Sequence, residues 1–237
     1  CEIVTSGPAA PDVTVVHFHG GGYCIGSPRT PRAWAAALSA QAGCRVVLPV
    51  YRLAPEHPYP AAIADARYVL SALFITAGPS SVLISGDSAG GGLALALTMS
   101  LRDSGLALPA GCILLSAWLD LGRDWGADPA LVRRDVLLTP GWLAACAKAY
   151  GDPADPLVSP LRADLGGLPP LLIQAGTDEL LVPDSDLLAA RASAALVDVT
   201  YTRWPRMWHD FALQPGQLAA ADSALAQAAW FVGKVTS

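Results

Sequence analysis

The sequence predicts an α/β fold in which a mostly parallel sheet is covered by helices on both faces. Short, β-branched, apolar runs alternate with Ala/Leu-rich helical patterns along most of the chain. That is the rhythm of strands joined by crossover helices. The runs are apolar throughout, as strands buried on both faces must be. The length of 237 residues suits one domain of this class and is enough to enclose a large core.

Taken in order, residues 13–19 read as a strand, followed by a glycine-rich loop at 20–26. Residues 31–42 are helical, with Pro31 at the start, where a missing N–H costs nothing. Residues 44–50 form a strand, and a proline-punctuated loop runs from it to Pro60. A helix over 61–77, a strand over 81–85, a helix over 88–103 and a strand over 112–116 follow. The segment 117–160 then breaks the alternation. It carries Trp118, Trp125, Trp142, an arginine pair and a short helical stretch at 140–150. It reads as a cap or lid inserted over one end of the sheet, within a single domain spanning 1–237. Its tryptophans suit either a pocket wall or a buried core. Alternation resumes with strands at 171–175 and 199–201 and helices at 184–196 and 217–232, giving about six strands.

Composition excludes several classes of function. The chain is 53% hydrophobic and 15% charged, which is incompatible with a mainly disordered protein. The net charge is −5 and no basic run exceeds two residues, so nucleic-acid binding has no electrostatic footprint. Apolar stretches such as 93–101 and 112–119 fall far short of the ~20 residues a membrane-spanning helix needs. The first residues lack the basic and apolar regions of a secretory signal. Five cysteines, with no CxxC spacing, form neither a disulfide framework nor a zinc site. Reduced thiols in a cytoplasmic protein, with no cofactor or metal, are the expectation.

Gly86-Asp87-Ser88-Ala89-Gly90 matches G-x-S-x-G directly after an apolar strand and directly before an Ala/Leu helix. That context is a nucleophile elbow, a tight strand–turn–helix that exposes the serine oxygen at a helix N-terminus. A serine hydroxyl needs a base, and in folds with such elbows the order is nucleophile, acid, histidine. Of His17, His19, His57 and His209, only His209 follows Ser88. The acid should lie between them, just past a strand, where Asp178 stands with Glu179 as its local competitor. His19-Gly20-Gly21-Gly22 follows the first clear strand, and its glycines allow successive N–H groups to turn toward one point. With the N–H of Ala89, two or three donors can converge on a tetrahedral oxyanion, and one such donor is worth ~3–4 kcal/mol of barrier. His19 reads as structural, holding this loop through a ring hydrogen bond. His17 has no assignable role.

Together these residues resemble the hormone-sensitive-lipase-like family of α/β-hydrolase carboxylesterases, of the bacterial type. The resemblance rests on five ordered motifs: His19-Gly20-Gly21-Gly22-Tyr23, Tyr51-Arg52-Leu53-Ala54-Pro55-Glu56, Gly86-Asp87-Ser88-Ala89-Gly90-Gly91, Asp155-Pro156-Leu157-Val158-Ser159-Pro160-Leu161 and Gly176-Thr177-Asp178-Glu179. It implies an α/β-hydrolase fold with a small or truncated cap, and a serine esterase acting on short- to medium-chain acyl esters. It also implies Ser88, Asp178 and His209 as the triad, and Gly20, Gly21 and Ala89 as oxyanion donors. Arg52 and Glu56 become structural, and a homodimer through the last strand and helix is implied. Two departures stand out. Only 18 residues precede His19, and Arg206-Met207-Trp208 before His209 is bulkier than the usual family pattern. An amidase or peptidase using the same triad is one alternative; a non-catalytic binder of small ligands on the same fold is the other.

Overall fold

The computed structural model describes residues 1–6 and 12–237. Seven strands form one sheet: β1 (Glu2–Val4), β2 (Thr14–Phe18), β3 (Arg45–Leu48), β4 (Val82–Asp87), β5 (Gly111–Leu115), β6 (Leu171–Gly176) and β7 (Val199–Trp204). Their spatial order is β1-β3-β2-β4-β5-β6-β7. All neighbours are parallel except β1, which pairs antiparallel to β3. The expected strands are all present; β1 is additional.

Successive side chains of each strand enter opposite cores, as the two-residue period requires. Val16 and Phe18 of β2, Val82 and Ile84 of β4, and Leu171 and Ile173 of β6 join one core. The helices α2 (Ala61–Ala77), α3 (Ser88–Asp103) and α6 (Val182–Ala194) pack there. Val15, Leu83, Ile113 and Leu172 join the other, against α1 (Arg32–Ala42) and α7 (Ala219–Thr236). Both faces being covered explains why the central strands carry almost no polar residues. Helix α3 runs beneath the sheet centre and is buried nearly all round, which its Gly/Ala/Leu composition permits.

The segment after β5 is bonded firmly to this body. Asp184, at the start of α6 and fully buried, accepts the N–H groups of Leu119 and Asp120, both at 2.9 Å, and pairs with Arg123 at 2.8 Å. Burial pushes its pKa up to about 6 against the pull of Arg123 and those donors. The segment contains α4 (Pro129–Arg134), capped by Asp128, and α5 (Pro140–Tyr150), capped by Thr139. Both begin with proline and a side-chain cap, the chemistry of a well-defined helix start. Trp118 and Trp125 lie in the core, edge to face at 6.3 Å. Trp142 is partly exposed.

Candidate active site

The site is assembled at the C-terminal ends of β2, β4, β5, β6 and β7. Ser88 opens α3 with φ +51°, a left-handed conformation rare for non-glycine residues. The turn is possible because its flanks are glycine. A Cβ on Gly86 would collide with the Gly90 carbonyl, and one on Gly90 with the Phe18 carbonyl. Ser88 is thus held in strain by the close approach of β4, β2 and α3. The N–H of Ala89 lies in the first turn of α3, where no intrahelical acceptor exists.

Asp87 and His17 organise the neighbouring loop. Both are fully buried. The His17 Nε2 lies 2.9 Å from Asp87 Oδ1, and its Nδ1 lies 2.9 Å from Ser85 Oγ. The Gly20 N–H donates to Asp87 Oδ2 at 2.8 Å. Gly20 is therefore committed to the scaffold, which corrects its expected place among the oxyanion donors. Gly21 and Gly22, at φ +115° and +62°, line the cavity beside Ser88. His19 holds the loop as expected: its Nδ1 bonds the Gly20 carbonyl at 2.7 Å, and its ring stacks on Tyr51. Tyr51 in turn donates to the His19 carbonyl at 2.6 Å. Arg52 grips Asp65 of α2 through its guanidinium and its own N–H.

His209 follows β7 and is almost fully buried. Its Nδ1 lies 3.4 Å from Glu179 Oε2, within ion-pair reach. The acid brought to the histidine is thus Glu179, and Asp178 is not. The reason lies in how two loops zip together. The N–H of Thr177 bonds the Trp204 carbonyl, that of Asp178 the Met207 carbonyl, and that of Arg206 the Thr177 hydroxyl. With this register Glu179 points inward and is wholly buried. Asp178 points outward, partly exposed, with Arg134 of α4 at 3.6 Å. Ser116, at φ +47° just past β5, donates to Glu179 Oε2 at 2.7 Å and accepts the N–H of Asp210 at 3.2 Å. Asp135, from the loop between α4 and α5, accepts the Leu180 N–H at 2.7 Å and so ties the inserted segment to the same turn.

A second carboxylate touches the base. Asp210 Oδ2 lies 3.2 Å from His209 Nε2. Burial opposes the charged imidazolium, but Asp210 and Glu179 outweigh it and hold the His209 pKa well above the ordinary imidazole value. Burial pushes Glu179 itself up to about 7, partly offset by His209 and Ser116. Ser88, His209 and Asp210 share one cavity of ≈470 Å³ with Gly21, Gly22, Leu138 and Trp142. The structure also brings Glu179, Gly22, Ser116 and Asp210 to the site, and sequence did not select them. Glu179 stood in view as the neighbour of Asp178, Gly22 as the third glycine of its run, and Asp210 as the residue after the base. Ser116 carried no signal beyond ending an apolar strand.

A profile of the alpha/beta hydrolase fold matches residues 15–213. An acetyl-hydrolase of Streptomyces hygroscopicus is 41% identical over 200 residues, covering 83% of this chain and 67% of that protein. An esterase from the bacterial hormone-sensitive lipase family superposes with a TM-score of 0.92 at 37% identity, over 98% of this chain and 80% of its own. The chain belongs to the hormone-sensitive-lipase-like family of α/β-hydrolase esterases. An esterase of Acinetobacter venetianus is 39% identical over 222 residues, covering 92% of this chain and 73% of that protein. As a member of this family the chain is an ester hydrolase. Among the described residues, no helix is long and apolar enough to cross a membrane, and no three His, Cys, Asp or Glu side chains are grouped to hold a metal.

Proposed function

We propose that this esterase cleaves short- to medium-chain acyl esters with Ser88 as nucleophile, His209 as base and Glu179 as the acid that orients the base. The observation that carries this reading is the shared cavity: Ser88 and His209 line one space, with Glu179 behind the far nitrogen of His209. His209 Nε2 leaves Asp210, takes the Ser88 proton as Oγ attacks the ester carbonyl, and returns it to the departing alcohol. Water then cleaves the acyl-enzyme by the same route. The N–H groups of Gly21, Gly22 and Ala89 are proposed to hold the oxyanion. Two of them belong to residues that line the cavity, and Gly20 is already engaged. The cavity volume suits a small ligand. Leu137, Leu138 and Trp142 supply an apolar wall, which supports reading 117–160 as the cap. The unpaired state of all five cysteines supports a reducing, cytoplasmic setting.

The test is hydrolysis of p-nitrophenyl butyrate and of the matched anilide by this chain and by Ser88→Ala. Rapid ester turnover, slow anilide turnover and loss of both in Ser88→Ala are expected. Ester turnover that survives Ser88→Ala overturns the assignment, and anilide turnover equal to that of the ester favours an amidase.

A further inference from the structure

Asp210 is more than the mechanism above requires. An esterase triad needs one carboxylate, behind the histidine, and Glu179 occupies that place. Asp210 instead meets Nε2, the nitrogen that must protonate the leaving alcohol. A group in contact with that nitrogen lies on the alcohol side of the scissile bond. Its Oδ2 faces the imidazole, while Oδ1 is buried with no hydrogen-bond partner; a buried carboxylate oxygen left uncompensated in this way favours a positive charge beside it. Asp87, the other acid in the cavity wall, is satisfied by His17 and Gly20. No Lys or Arg stands among the described residues of the lining. Trp142, partly exposed, lines the same cavity, and an indole face attracts a cation.

We propose that Asp210 is a specificity-determining residue that binds a cationic group of the alkylammonium class on the alcohol portion of the ester, with Trp142 as an aromatic wall. This rests on the esterase reading of the same cavity. A bound ammonium replaces the imidazole ring as the partner of Asp210, which frees His209 Nε2 for the Ser88 hydroxyl. A cationic alcohol group thereby improves both binding and the readiness of the base. An anionic alcohol group meets an unneutralised carboxylate and is disfavoured.

The experiment compares kcat/KM for butyrylcholine and its uncharged isostere, 3,3-dimethylbutyl butyrate, at one pH on the plateau of the p-nitrophenyl butyrate profile. The expected result is a preference of about tenfold for the choline ester, the scale of a cation held by a carboxylate and an aromatic face, falling to near one in Asp210→Asn. Asparagine tolerates the φ of +58° at this position and keeps the N–H that Ser116 accepts. Both esters use the same base, so their ratio cancels any change that the substitution makes in His209 independently of the substrate. A ratio near one in the parent, or an unchanged ratio in Asp210→Asn, overturns the proposal. If Asp210→Asn does not fold, the parent decides: choline should inhibit hydrolysis of p-nitrophenyl butyrate several-fold more strongly than 3,3-dimethylbutanol, and equal inhibition overturns it. Absence of turnover on the uncharged esters as well, p-nitrophenyl butyrate included, overturns the esterase reading and this proposal with it.

Discussion

Two adjacent carboxylates, Asp178 and Glu179, leave β6 in opposite directions, and the geometry assigns them different fates. Glu179→Gln keeps the shape of the side chain but removes the charge beside His209. It should lower kcat by about 10³–10⁴-fold, the scale of losing the acid from a triad. Asp178→Asn loses only a half-exposed contact with Arg134 and should change kcat/KM by less than about threefold. Steady-state kinetics on the two variants side by side distinguish them, and the reverse order would restore Asp178 as the acid. The pH profile belongs to the same scale. His209 must be neutral to accept the Ser88 proton, and its pKa is raised. The acid limb of kcat/KM should therefore lie above the ordinary histidine value of about 6.5. Removing one of the two flanking charges in Asp210→Asn should move that limb to lower pH; a limb that does not move argues against the Nε2 contact. Ser88 and His209 were legible in the sequence because a motif marks one and chain order marks the other. The carboxylate that faces His209 Nδ1 was legible only to within one residue. Which of the two turns inward depends on the zipping of the 176–179 turn against 204–207, a contact between distant loops. Gly20 misled for a similar reason, since its N–H is claimed by Asp87, 67 positions away.

At the scale of elements, the elbow depends on β2, β4 and α3 approaching backbone to backbone. Gly90→Ala places a methyl group against the Phe18 carbonyl. Overpacking of this kind should cost about 1–3 kcal/mol or more, together with a loss of activity as Ser88 shifts. Urea unfolding monitored beside turnover checks both, and a stable, fully active Gly90→Ala would contradict the account of the turn. His17, unassigned from sequence, joins β2 to β4 through Ser85 and Asp87. His17→Ala strips a buried carboxylate of one partner and should destabilise the chain by about 3 kcal/mol, read as a lower urea midpoint. The helices over 61–77, 88–103 and 140–150 agree with the structure to the residue because proline, serine or glycine punctuates their ends. One strand and one α-helix were missed. The strand β1 has three residues and takes its stability from β3, and α4 has six and owes its start to the Asp128 cap. Elements that short have too few positions to display a period.

Across the whole molecule, a fully apolar parallel sheet with α1 and α7 on one face and α2, α3 and α6 on the other delivers five strand ends to one rim. The fold class was legible from that apolarity. The contacts that dock 117–160 were not, because they are single polar links such as Asp184 to Leu119 and Asp120, and Asp135 to Leu180. Among the described residues no strand pairs with the outer edge of β7, beside exposed Leu196. An open edge of this kind invites pairing with a second copy. Light scattering at micromolar concentration should give twice the 24.5 kDa chain mass, and a monomeric mass would remove the dimer from the account. The central claim is that Ser88 is a nucleophile activated within this cavity. The most direct measurement is intact mass and peptide mapping after treatment with a p-nitrophenyl alkylphosphonate. A single adduct on Ser88, forming in step with loss of ester turnover and absent from His209→Ala on the same timescale, is the predicted result. A chain that stays unmodified while folded, or an adduct elsewhere that abolishes turnover, would contradict it.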